Sequence, residues 1–185
     1  MAIRSCVFDL ETSSLNADFG IVLCAVVKPD TGKAKVFRGD KLNPDWHERR
    51  SDDSAVVAAT VEELSRYDIW IAHNGLRFDV PFLRARLMRS GLPPLPDKKL
   101  IDPCQLARNK LKVSFNSLSS LANHLGCNSK TDVTPQHWLA AALDGDEKAM
   151  SYIATHCLED CKTLERVVEA LKPYISSINT WGSAR

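Results

Sequence analysis

A chain of 185 residues with 44% hydrophobic and 25% charged side chains suits one compact domain with its own core, and excludes wholesale disorder and a fold that depends on disulfides or a structural metal. A formal net charge of +1 excludes an overall basic coat for duplex DNA and an acidic solvating tail. The six cysteines form no C-x-x-C pair, the longest apolar run (residues 21–27) has only a strand's length, and the first residues do not read as a secretory leader, so a reduced, cytoplasmic protein with no membrane partner is expected.

Residues 3–8 form a short β-prone run ending in Asp9, and residues 19–28 form a second that is nearly all apolar, as in a strand buried on both faces. The turn signal Pro29-Asp30-Thr31-Gly32 leads into a third strand over 34–37, giving a hairpin. Ser51-Asp52-Asp53 can cap a helix running to residue 67, with Val56, Val57, Val61 and Leu64 along one stripe. A short strand over 68–72 precedes a helix over 78–89, which Gly91 and Pro93-Pro94 stop and whose first turn tolerates Pro81. Residues 99–101 are a strand closed by Asp102-Pro103, and helices follow over 104–111, 117–125 and, behind a Thr134 cap, 135–143. A long helix over 146–171, broken near His156, completes the order, with Pro173 beyond its end. A hairpin followed by strands alternating with helices predicts an α/β fold, a mixed β-sheet flanked by α-helices.

Three acidic motifs stand out. In Phe8-Asp9-Leu10-Glu11-Thr12, extended backbone places Asp9 and Glu11 on one face and Leu10 on the other. Two such carboxylates repel, and a hard cation such as Mg²⁺ resolves the conflict, although exposed acids at a strand end would read the same way. Asn74-Gly75-Leu76-Arg77-Phe78-Asp79 follows an apolar strand and opens a helix, which sets Asp79 at the carboxyl end of a strand, where α/β sites gather, or simply at a helix cap. In His156-Cys157-Leu158-Glu159-Asp160, His156 and Asp160 share a helix face at the margin of an apolar stripe, as a site or as a local brace.

In chain order these read D-x-E, N-x-x-x-F-D and H-x-x-x-D, and the sequence resembles the DEDD superfamily of 3′–5′ exonucleases, which have the RNase H-like fold. His156 is the residue of the histidine branch, whereas its spacing to Asp160 is that of the tyrosine branch. Ser117-Leu118 and Ile101-Asp102-Pro103 look like the serine-leucine helix and the aspartate-ended strand in the exonuclease domains of family B DNA polymerases and their stand-alone relatives. The likeness spans residues 1–172 as one exonuclease domain and leaves 173–185 as a C-terminal tail. It implies two ions, Mg²⁺ or Mn²⁺, with Asp9 bridging both, Glu11 and Asp160 on the ion that carries the attacking water, Asp79 on the other, and His156 as general base. It also implies that Leu10, Thr12, Asn74 and Phe78 receive the terminal nucleotide. The function implied is 3′–5′ hydrolysis of phosphodiester bonds at single-stranded ends, DNA favoured over RNA, with a ribonuclease of the same fold and a catalytically inert nucleic-acid-binding module as the alternatives. A processive partner, polymerase or helicase, would be a separate protein.

Residues 80–131 carry nine basic residues against two acidic ones, a local excess that suits a phosphate backbone or a solvated helix face. His124 and Cys127 with Cys157 and Cys161 could make a zinc site by spacing, but packing is the expected role of the helical thiols. Trp46 and Trp181 are candidates to stack bases or touch a partner, while Trp70 and Trp138 are expected to pack in the interior.

Overall fold

The computed structural model describes residues 3–127 and 134–174. Five strands form one sheet in the order β3-β2-β1-β4-β5, with β1 Ser5–Thr12, β2 Val22–Pro29, β3 Lys35–Arg38, β4 Ile69–Ile71 and β5 Lys99–Ile101. β1, β2 and β3 are antiparallel neighbours, while β4 runs parallel to both β1 and β5, so the sheet is mixed. Helices α1 Gly39–Leu42, α2 Ser54–Ser65, α3 Asp79–Arg89, α4 Pro103–Lys110, α5 Leu118–His124, α6 Pro135–Leu139 and α7 Glu147–Leu171 complete the chain. Among the described residues no helix is long and apolar enough to cross a membrane.

Alternation along β1 divides the interior. Cys6, Phe8 and Leu10 pack on one face with Val56, Val57 and Leu64 of α2, Leu83 and Leu87 of α3, and Trp70, whose ring meets Phe8 edge-on at 5.9 Å. Val7, Asp9 and Glu11 point to the opposite face, where Met150, Ile153, Cys157, Cys161 and Leu164 of α7 cover the sheet. β2 is buried on both faces, as its composition predicts. Its alternation breaks once: Leu23 and Cys24 both face α7, where pairing slips between Glu11 and Thr12. α4 and α5 close the flank of α7 through Leu106, Ala107, Leu121, Val167 and Leu171.

Three expectations need correction. β1 runs four residues past Phe8, because Asp9 to Thr12 keep antiparallel partners in β2. α7 passes His156 without a break, since its apolar stripe continues through both halves against the sheet. The predicted helix over 135–143 becomes α6 followed by a π-helical turn, Ala140–Asp144, which Gly145 ends at a φ of 69°.

Asp53 does not cap α2. Its carboxylate is buried, receives Arg86 from α3 at 2.8–3.2 Å and accepts the Val22 N–H at 2.8 Å, while Asp52 takes the Ser54 amide and hydroxyl. Arg86 also donates to the Ala17 carbonyl, tying the β1–β2 loop to both helices, and so leaves the basic surface expected of residues 80–131. Arg86→Met should strand the Asp53 charge and cost about 3–5 kcal/mol, read as a lower urea midpoint. A wild-type midpoint would show that the pair does not organise the fold.

Candidate active site

The first two acids sit where the sheet stops pairing. β4 partners β1 only over Ser5–Val7, so the strand beyond Val7 has an open edge on that side. The Leu10 N–H on β1 donates to the carboxylate of Asp79, the first residue of α3. Asp79 reaches that point because the chain turns sharply after β4: Asn74 adopts a φ of 63°, and a Cβ at Gly75 would lie 2.5 Å from that of Ala72. Asp102 holds this turn in place. Its side chain accepts the N–H groups of Asn74 and Leu76 at 2.9 and 3.2 Å while capping α4 through Cys104 and Gln105.

The third motif arrives from α7 across the sheet. His156 Nε2 lies 3.9 Å from Glu11 Oε1 and 3.6 Å from Asp160 Oδ2, so the histidine stands between an acid of β1 and one of its own helix. Cys157 Sγ lies 3.3 Å from Asp9 Oδ2. Ligand atoms of Asp9, Glu11 and Cys157 all fall within 4.8 Å of one another. Burial and the carboxylates of Glu11, Asp79 and Asp160 push the Asp9 carboxyl well above its usual range. Burial, together with Asp160 and Asp79, raises Glu11 to about 8 against the opposing effect of a hydrogen bond from Trp138. Burial likewise raises Asp79 to about 7, although the Asp79 and Leu10 amides favour its charged form. The Cys157 thiol is pushed up by burial, then by contact with Cys24 and by Asp9, and so serves as a protonated donor rather than a soft metal ligand.

Among the described residues no lysine or arginine pairs with Asp9, Glu11 or Asp79, and Asp79 Oδ1 is buried without a hydrogen-bond partner. Converging hard oxygens with too little positive charge are what a divalent cation satisfies, so Asp9, Glu11, Asp79 and Asp160 fit a Mg²⁺ or Mn²⁺ centre. Beside them lies a cleft of about 370 Å³ lined by Leu10, Thr12, Leu15 and Phe78 together with Glu11 and Trp138. Phe78 is braced by Phe82, ring centroids 5.6 Å apart. Asn74 is not part of that lining; it lies within the turn, its side-chain oxygen buried and without a partner among the described residues.

Other candidates fall away. Trp46 is 3% exposed and belongs to the core, so it cannot stack bases, and Trp181 and Lys130 lie outside the described residues. Cys157 and Cys161 are buried beneath the sheet while His124 is exposed on α5, consistent with packing thiols. Two contributors take roles that the sequence did not indicate. Trp138, expected only to pack, donates its indole N–H to Glu11 Oε2 at 2.9 Å, and Asp102 organises the Asn74 turn.

A model of the RNase H superfamily matches residues 6–172 of the chain. No curated protein matches it by sequence. Among solved structures, that of the family B DNA polymerase from the hyperthermophilic archaeon Pyrobaculum calidifontis is similar with a TM-score of 0.75 and 18% identity, over 94% of this chain and 25% of that one. The chain thus spans about a quarter of that polymerase, and a likeness at this identity speaks for the fold alone.

Both Glu11 and Asp79 hold their protons more tightly folded than unfolded, so the stabilisation they contribute is complete below their ordinary values of 4.5 and 3.8 and is lost as the pH rises through 7 and 8. Metal-free protein should therefore melt at progressively lower temperature between pH 5 and 8.5. Mg²⁺ should raise the melting temperature more at pH 8 than at pH 5, because its ligands must first lose their protons. A metal-free melting temperature that stays flat or rises across this range would contradict the assignment.

Proposed function

This chain belongs to the RNase H superfamily, and on that footing we propose that it is a metal-dependent 3′–5′ exonuclease of the DEDD type, acting on single-stranded nucleic acid ends with DNA favoured. The superfamily and the fold support nuclease-type hydrolysis generally, and the finer reading rests above all on one observation. Carboxylates of Asp9, Glu11 and Asp79, from β1 and α3, crowd together with no lysine or arginine pairing with them among the described residues, and Asp160 and His156 of α7 lie alongside.

In this reading Asp9, Glu11, Asp79 and Asp160 would hold two divalent ions. Such ions, when bound, neutralise charge on the phosphate and favour ionisation of the attacking water. His156 receives the water's proton at Nε2, and Glu11 and Asp160 on either side stabilise the imidazolium that results. Imidazole titrates closer to neutral pH than other side chains, which suits that task. Leu10, Thr12 and Phe78 form the wall on which the terminal nucleotide lies.

Purified protein with Mg²⁺ or Mn²⁺ should shorten a 5′-labelled single-stranded DNA stepwise from its 3′ end, and a matched RNA more slowly. Asp9→Ala should lower the rate by about 10²–10³. Equal degradation by wild type and Asp9→Ala would sink the proposal, and an inert wild type that still binds the oligonucleotide would identify a binding module. His156→Ala should lower the rate by roughly 10²–10⁴ at saturating Mn²⁺ while leaving Mn²⁺ affinity within about threefold of wild type. A variant rate within a few-fold of wild type would remove His156 from proton transfer.

A further inference from the structure

Trp138 lies outside the three acidic motifs of the sequence. Its indole N–H donates to Glu11 Oε2 at 2.9 Å, leaving Oε1 directed toward His156. The same ring meets the His156 imidazole edge-on, centroids 5.5 Å apart at 84°. One side chain therefore touches both an acid of β1 and the histidine of α7.

Both contacts supply what the two residues lack elsewhere. A histidine that moves protons ordinarily has its ring fixed by a hydrogen bond at the second nitrogen. Here His156 Nδ1 is buried and finds no partner among the described residues, so the ring is held by Glu11 and Asp160 at Nε2 and by packing against Trp138. Glu11 needs an orienting donor that adds no charge. A lysine or arginine at this spot would supply the missing positive charge itself and compete with a cation, whereas a neutral indole directs one carboxylate oxygen and preserves the site's negative potential.

Trp138 is itself well anchored. Tyr152, four residues before His156 on α7, packs edge-on to it at 6.3 Å and stacks on His137 at 3.9 Å, so the 137–138 pair clasps α7. The π-helical turn that follows makes one wide loop back to α7, a device common beside functional sites.

We propose that Trp138 is a positioning residue that presents Glu11 to a divalent cation and His156 to the substrate water. This rests on the exonuclease reading above. Trp138→Phe keeps the ring and deletes the donor, whereas Trp138→Leu deletes both. By titration calorimetry without nucleic acid, Trp138→Phe should bind Mn²⁺ about tenfold more weakly, the usual consequence of removing a partner behind a metal ligand. At saturating Mn²⁺ its kcat should return to within about threefold of wild type, while that of Trp138→Leu stays roughly tenfold down because His156 is no longer held. Metal-free melting temperatures close to wild type would separate positioning from general stability. Wild-type Mn²⁺ affinity in Trp138→Phe overturns the inference. If neither variant folds, the ¹⁵N-indole signal of Trp138 in the wild type serves instead: slow exchange and a shift on Mg²⁺ titration are expected, and fast exchange with no response overturns it. A wild type lacking Asp9-dependent Mn²⁺ binding would instead defeat the exonuclease reading.

Discussion

Mutual repulsion among buried carboxylates is the constraint around which this molecule is arranged. Burial disfavours the ionised form of Asp9, Glu11 and Asp79, and neighbouring carboxylates add to it, with Glu11 and Asp79 acting on Asp9 and Asp79 on Glu11. A flexible chain would let these side chains separate. Here Asp9 and Glu11 are fixed by the central strand, which is paired with β2 throughout, and Asp79 by the first turn of a helix sealed against the core through Val80, Phe82 and Leu83. The two hydrophobic layers thus hold in place an arrangement that the acids alone would disperse. Neutral donors at its margin, the Cys157 thiol and the Trp138 indole, steady the oxygens without neutralising them.

The sheet places the acids and the helices bring the remaining groups to them. β1 is flanked on one side by a full-length antiparallel partner and on the other by a three-residue parallel one. That inequality opens the edge at which α3 delivers Asp79. The slip in pairing at Glu11 and Thr12 ends the regular ladder beside the cleft, so the loop that follows can form its wall. The buried pair of Asp53 and Arg86 holds the other end of that loop through Ala17.

Much of this was legible in the sequence because it rests on short periods. Asp9 and Glu11 share a face at a spacing of two, and His156 and Asp160 share one at a spacing of four. Asp79 was marked by the strand that precedes it and the helix that follows. The mixed sheet could be read from the hairpin and the alternation behind it. What stayed hidden depends on partners far along the chain. Asp53 resembled a cap because a local pattern cannot reveal Arg86, 33 residues away, and Trp138 resembled packing because Glu11 lies 127 residues from it. Asp102 could be read only as the aspartate that ends a strand, because the amides it accepts belong to a turn 26–28 residues earlier. The expected break in α7 did not occur because tertiary packing carries the helix through His156.

The contact between Cys157 and Asp9 joins residues 148 positions apart. A chain emerging from the ribosome therefore exposes its first, second and third acids well before the closing helix can shield them. During that interval the half-built centre has neither its histidine nor its last carboxylate. The cluster is complete only once α7 packs on the sheet.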